Sequence, residues 1–211
     1  MAPLTTVDTA SPTAAASRRS ALVRALAAPL LFAVVIQNVG NLLLHAILGR
    51  YLTADQYGAL GTVLSLMVLL TVPLGALQVA ASKSAAAGPA VASVQRRSVR
   101  SLALAGILAT AAVCLLAPLA VSAFHLSSPV DALLLGPFVG VSIVLAVVRG
   151  RLLGLDQRRG VRAVAVTFIV STVVRLVISL AALSTWGTTG AIVGTLVGES
   201  LALGYALIAL R

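Results

Sequence analysis

Arg175 and Glu199 are the residues of this sequence best placed to do chemistry, because each falls near the middle of a long apolar run. A charged side chain at the centre of a bilayer costs at least ~2.5 kcal/mol on insertion scales, so each must face the protein interior and find a partner. At a helical rise of about 1.5 Å per residue, Arg175 lies ~18 Å into its run and Glu199 ~14 Å from the far boundary of the next. The two therefore sit at similar depth. Either Arg175 offers its charge to an anionic substrate, with Glu199 holding it or exchanging a proton, or the two form a closed ion pair that only fastens neighbouring helices.

A second polar group lies in the first apolar run, which carries Gln37, Asn38, Asn41 and His45. Gln37, Asn41 and His45 are four residues apart, so on a helix they form one slowly drifting stripe. That stripe avoids lipid by lining a cavity or by hydrogen-bonding to another span. Asn38, Asn41 and His45 join Arg175 and Glu199 as candidate cavity residues. A lone histidine such as His45 is also an ordinary packing or interfacial residue.

The elements that must position these residues are six apolar runs, at about residues 25–49, 57–81, 101–124, 130–148, 163–183 and 188–210. Each is long enough as a helix to cross a hydrocarbon layer ~30 Å thick. The basic residues set an orientation. With the N-terminus in the cytoplasm, of the 15 Lys and Arg residues only Arg50 falls outside and only Arg175 lies within a span. Basic residues are held back from translocation, so both termini are expected to be cytoplasmic. The stretch from Arg18 resembles the front of a signal peptide but continues past Asn41 without a cleavage site, which favours an uncleaved first span. Residues 1–24 read as a disordered basic segment and residues 25–211 as one transmembrane unit.

Connections on the outer side are short (50–56, 125–129 and 184–187), which makes consecutive spans antiparallel neighbours. Those on the inner side, 82–100 and 149–162, are longer and rich in Arg. The second has the pattern of an interfacial helix, with Leu152, Leu153 and Leu155 toward lipid and Arg151, Arg158 and Arg159 toward water. Gly190, Gly194 and Gly198 lie four residues apart and form a face on which another backbone can approach closely. Pro29, Pro73, Pro118 and Pro137 mark kinks or helix ends. A short echo, Gly49-Arg50 with Asp55-Gln56 and Gly150-Arg151 with Asp156-Gln157, has the placement of an inverted repeat.

Composition excludes several classes. Hydrophobic residues make up 60%, charged residues 9%, and mean hydropathy is +1.09, which rules out a soluble core. The net charge of +10 sits in short loops beside spans, where it matches an anionic lipid surface rather than nucleic acid. Cys114 is the single cysteine, so no intrachain disulfide forms. Asp156 is the one carboxylate of the inner connections, too few for a two-metal phosphatidyltransferase site. No catalytic residue, metal or cofactor is expected, and the chain does not read as an enzyme.

Three segments resemble one family. Residues 48–58, Leu-Gly-Arg-Tyr-Leu-Thr-Ala-Asp-Gln-Tyr-Gly, are similar to an Arg-x-Leu-Ser-Pro-x-x-Tyr-Gly signature, with Arg50, Leu52, Tyr57 and Gly58 matching and Ala54 in place of proline. Residues 149–155 resemble an Arg-Gly-x-x-x-Gly element, and residues 187–194 resemble a Gly-x-x-Gly-Ala opening of the sixth span. These are features of polysaccharide biosynthesis flippases of the multidrug, oligosaccharidyl-lipid and polysaccharide exporter (MOP) superfamily. The resemblance implies an all-α integral membrane fold, with six transmembrane helices forming one lobe of a MATE-like transporter. It also implies movement of a polyprenyl-linked saccharide, or a related anionic lipid-linked precursor, across the cytoplasmic membrane. An Arg175 facing the cavity suits a phosphate. Members have two lobes, so the partners implied are membrane lipid, the anionic lipid-linked saccharide, and a second six-helix lobe or a second copy. The alternative is a non-transporting scaffold of a glycan biosynthesis complex.

Overall fold

The computed structural model describes residues 12–87, 92–124 and 128–211, and among these every regular element is a helix. They are α1 (Pro12–Tyr51), α2 (Ala54–Ala86), α3 (Ala92–Phe124), α4 (Pro129–Leu155) and α5 (Gln157–Ala209). The remainder of the expected N-terminal segment, and parts of the connections after α2 and α3, lie outside the described residues. Among the described residues, five helices are long and apolar enough to cross a membrane. Their outward surface is apolar, with Leu42, Val72, Leu115 and Ile208 among the exposed side chains, as a lipid-facing surface requires.

α5 is not one rod. Its 53 residues would extend roughly 80 Å if straight. At Gly187 the backbone takes φ 51° and ψ −125°, a conformation that favours glycine, and the chain reverses. The two arms then lie side by side. A Cβ built on Gly190 would stand 2.9 Å from the Ala182 Cβ, and one on Gly198 2.6 Å from the Ser171 carbonyl oxygen. The stripe of Gly190, Gly194 and Gly198 is the surface on which the second arm meets the first.

Local chemistry explains the helix starts. Thr53 caps α2 in a capping box: its Oγ1 accepts from the Gln56 amide at 3.4 Å, and Gln56 Oε1 accepts from the Thr53 amide at 3.1 Å. This accounts for part of the 48–58 motif, since Ala54 occupies the first helical position, where proline is favoured. Ser128 caps α4 ahead of Pro129. Asp156 caps α5, accepting from the Arg158 and Arg159 amides at 3.0 and 3.1 Å.

That cap corrects the expected inner connection. α4 continues to Leu155 and α5 begins at Gln157, so the residues read as an interfacial helix complete two long helices joined at Asp156. The Arg residues there do not end a helix, because nothing between Val148 and Leu155 breaks one. α1 likewise begins at Pro12, well before the expected start of the first span. Pro29, Pro73, Pro118 and Pro137 all lie inside helices that run through them.

α4 is the central element and packs on α2, α3 and α5, whereas α1 packs on α5 and barely touches α2. Two cores form along it. Near the Gly187 end, Leu44 and Leu48 of α1 meet Leu60, Val63 and Met67 of α2, with Leu135 and Phe138 of α4 and Ile192 of α5. Near the Asp156 end, Leu145, Val148 and Leu152 meet Val164, Ala202 and Ala206. Small residues let α4 approach α3, where Gly136 faces Cys114 and Gly140 faces Thr110.

Asp131, only 3% exposed, fastens the Gly187 end by accepting from Thr189 Oγ1 at 2.6 Å and Thr188 Oγ1 at 3.3 Å. Hydrogen bonds to a charged group contribute about 1.5–3 kcal/mol each. Asp131→Ala is therefore expected to lower unfolding stability in detergent by roughly 3 kcal/mol or more, and Asp131→Asn by less than half of that. Thermal unfolding of the purified variants measures both.

Candidate functional site

A cavity of about 420 Å³ lies between the two cores. α1 contributes Gln37, Asn41, Leu44 and His45, and α2 contributes a wall from Leu64 to Gln78. α4 adds Phe138, Ser142, Ala146 and Arg149, which follow one another at three- or four-residue steps and so share a face. The arms of α5 supply Phe168, Arg175, Thr195 and Glu199. Toward the Gly187 end lie the apolar cluster joining α1 to α2 and the Tyr57 hydroxyl, 3.1 Å from His45 Nδ1. The two rings meet edge to face with centroids 6.2 Å apart.

Four of the five candidate residues named from the sequence line this space: Arg175, Glu199, Asn41 and His45. Asn38 does not, and its side chain is exposed on the outer surface of α1. The reason is angular. Gln37, Asn41 and His45 recur at about one turn, whereas Asn38 is displaced by roughly 100° around the helix.

Arg175 and Glu199 occupy the same wall without forming an ion pair. Arg175 donates from Nη2 to Asn41 Oδ1 on α1, and Glu199 Oε1 accepts from Ser171 Oγ at 2.9 Å. Among the described residues the ion pair formed by Asp156 is with Arg159, at 3.8 Å and largely exposed, at the end of the bundle.

Arg149 is the cavity residue that charge-based span assignment misses, because it reads as the end of a span. The side chain is 8% exposed. Its Nε donates to Thr167 Oγ1 at 2.8 Å, and its guanidinium carbon stands 4.2 Å from the centroid of the Phe168 ring. Thr167 in turn donates to the Val164 carbonyl at 2.6 Å, which fixes the hydroxyl's direction. The detectable signal is the four-residue spacing of Gly150 and Gly154, which continues α4 past Arg149.

Three buried polar atoms on the walls have no hydrogen-bond partner among the described residues: Ser142 Oγ, Arg149 Nη2 and Arg175 Nε. Buried donors are nearly always paired in folded proteins, so three unpaired atoms on residues lining one cavity mark unused hydrogen-bonding capacity at its edge. No group of three or more metal-ligating side chains occurs among the described residues. Family models, curated proteins and solved structures were compared with the chain, and none matches.

Proposed function

We propose that this chain is one six-crossing lobe of a flippase-like membrane transporter that handles an anionic, polyprenyl-linked saccharide or related precursor. The cavity carries the reading: arginine and glutamate side chains line a space inside a membrane-type helical bundle, and both arginines keep a buried N–H without a partner among the described residues. Its volume of about 420 Å³ falls within the ~300–1,000 Å³ of small-molecule sites. That is room for a phosphorylated head group, while an attached lipid tail would leave through the gap between α1 and α2.

The reversal at Gly187 supports six crossings, since each arm of α5 is long enough to span alone. The basic residues near the Asp156 end support a cytoplasmic location for that end and for both termini, in the cytoplasmic membrane. Resemblance of residues 48–58, 149–155 and 187–194 to polysaccharide flippases of the MOP superfamily supports the substrate class. α1 and α2 make little contact beyond their Gly187-end cluster, and along that side a second six-helix lobe, or a second copy, would complete the site.

Two variants test the reading in a host where loss of the protein abolishes surface glycan export. Arg175→Ala removes the charge, and Gly75→Leu fills the cavity from a position where an added Cβ meets nothing within 4 Å. Each variant, at wild-type abundance in the membrane, is expected to lower export at least tenfold. Export unchanged in both would overturn the proposal, and reduced export only in step with reduced abundance would mark the chain as a scaffold.

A further inference from the structure

The proposal above gives Arg175 the anion, but the cavity contains two guanidiniums and one carboxylate in a definite order. Phe168, Ser171 and Arg175 follow one another at one-turn steps along the first arm of α5, each step roughly 5 Å. The Arg149 guanidinium lies over Phe168, and Glu199 is bound by Ser171. The carboxylate thus stands at the level between the two guanidiniums, within ion-pairing distance of neither. Arg149 Nη2, Arg175 Nε and Ser142 Oγ are buried atoms with no hydrogen-bond partner among the described residues, each on a residue that lines the cavity.

Guanidinium N–H groups are donors only, and their planar fork fits tetrahedral phosphoryl oxygens as well as carboxylates. A single resident carboxylate, tied to Ser171, leaves the arginine pair with an excess positive charge and unused donors. We infer that Arg149 and Arg175 together form a two-point site for a phosphoryl oxyanion, with Thr167 and Phe168 as positioning residues for Arg149 and Glu199 as the counter-charge when the site is empty. Arg149 is then the station nearer the Asp156 end, and Arg175 the deeper one. The hydroxyl of Ser142 supplies a third, neutral donor between the α4 and α5 walls. This rests on the anion-handling reading of the cavity but assigns it a second cation, fixed by stacking rather than by an acidic partner.

The test uses the full chain in phosphatidylcholine nanodiscs, with inorganic pyrophosphate as the probe and binding read by calorimetry. Arg149→Met and Arg175→Met are each expected to weaken binding tenfold or more, as loss of a charge-assisted hydrogen bond does. Phe168→Leu keeps every charge and is expected to weaken it several-fold by loosening Arg149. Arg159→Met, whose side chain is 93% exposed, controls for general surface attraction and should leave binding unchanged. Thermal unfolding of each variant establishes that it is folded. Wild-type affinity in both Arg149→Met and Phe168→Leu, with Arg175→Met weakened, would overturn the two-point site while leaving Arg175 in its role. No pyrophosphate binding by the wild-type chain would overturn the anion-handling reading itself. Doping the nanodiscs with phosphatidic acid separates two sources of the ligand: competition with pyrophosphate identifies a lipid-borne phosphoryl group, and undiminished pyrophosphate binding identifies a water-borne one.

Discussion

Gly198→Leu is expected to destabilise the protein by about 3 kcal/mol or more, whereas Gly204→Leu, six residues later on the same arm, should leave stability unchanged or raise it by up to ~1 kcal/mol. The contrast follows from what each new side chain meets. At Gly198 the first added carbon would fall 2.6 Å from the Ser171 carbonyl oxygen and 3.3 Å from the Arg175 amide nitrogen. Both are backbone atoms of a helix and cannot rotate away, so the arms of α5 must separate. At Gly204 nothing lies within 4 Å. Leucine there faces open surroundings and even improves helix propensity, by up to ~1 kcal/mol. Separation of the arms would also pull Glu199 from Ser171, since the two are joined across the same contact. The loss should therefore appear both in thermal unfolding and in pyrophosphate binding by whatever protein remains folded. Equal stability of the Gly198 and Gly204 variants would show that the arms do not depend on close approach.

Much of this arrangement is legible in the sequence, and the boundary is physical. Apolar runs identify the helices because length and hydropathy are local properties, and the arms of α5 separate at Gly187 because its φ is one that few other residues adopt. The face shared by Gln37, Asn41 and His45 is legible for the same reason, since spacing fixes the angle around a helix. Partner choice is not local. The depths of Arg175 and Glu199 suggest that they meet, yet Arg175 bonds Asn41 on α1 and Glu199 bonds Ser171, because neighbours at similar depth compete for the same groups. Asp131 with Thr188 and Thr189 is equally invisible, since it joins residues 57 and 58 positions apart. Arg149 is lost for a different reason. An arginine next to an apolar run is ordinarily the mark of a membrane boundary, and only tertiary packing shows this one turned inward over Phe168.

Glu199→Leu should be the most damaging change at the site itself, costing about 2 kcal/mol, the scale of a hydrogen bond to a charged group, since the half-buried carboxylate is bound by Ser171 and paired with neither arginine. Glu199 is the one carboxylate among the described residues lining the cavity, which Arg149 and Arg175 also line. Its removal leaves the cavity-lining Arg149 and Arg175 without a carboxylate among the described lining residues, and leaves Ser171 without its acceptor. If charge balance is the cause, lowering the positive charge must compensate. The double variant Glu199→Leu with Arg175→Met is then expected to be more stable than Glu199→Leu alone by ~1–2 kcal/mol, a coupling of the size found between directly interacting residues. Additive losses would assign the effect to packing instead. A bound anion should act in the same way as the second substitution. Pyrophosphate at a hundredfold excess over its dissociation constant stabilises any binding-competent fold by about 2.7 kcal/mol. In Glu199→Leu it would replace the missing carboxylate and bind more tightly than to the wild-type chain, so its stabilising effect at a fixed concentration should be larger in the variant. An equal or smaller effect would mean that Glu199 does not share its place with the ligand.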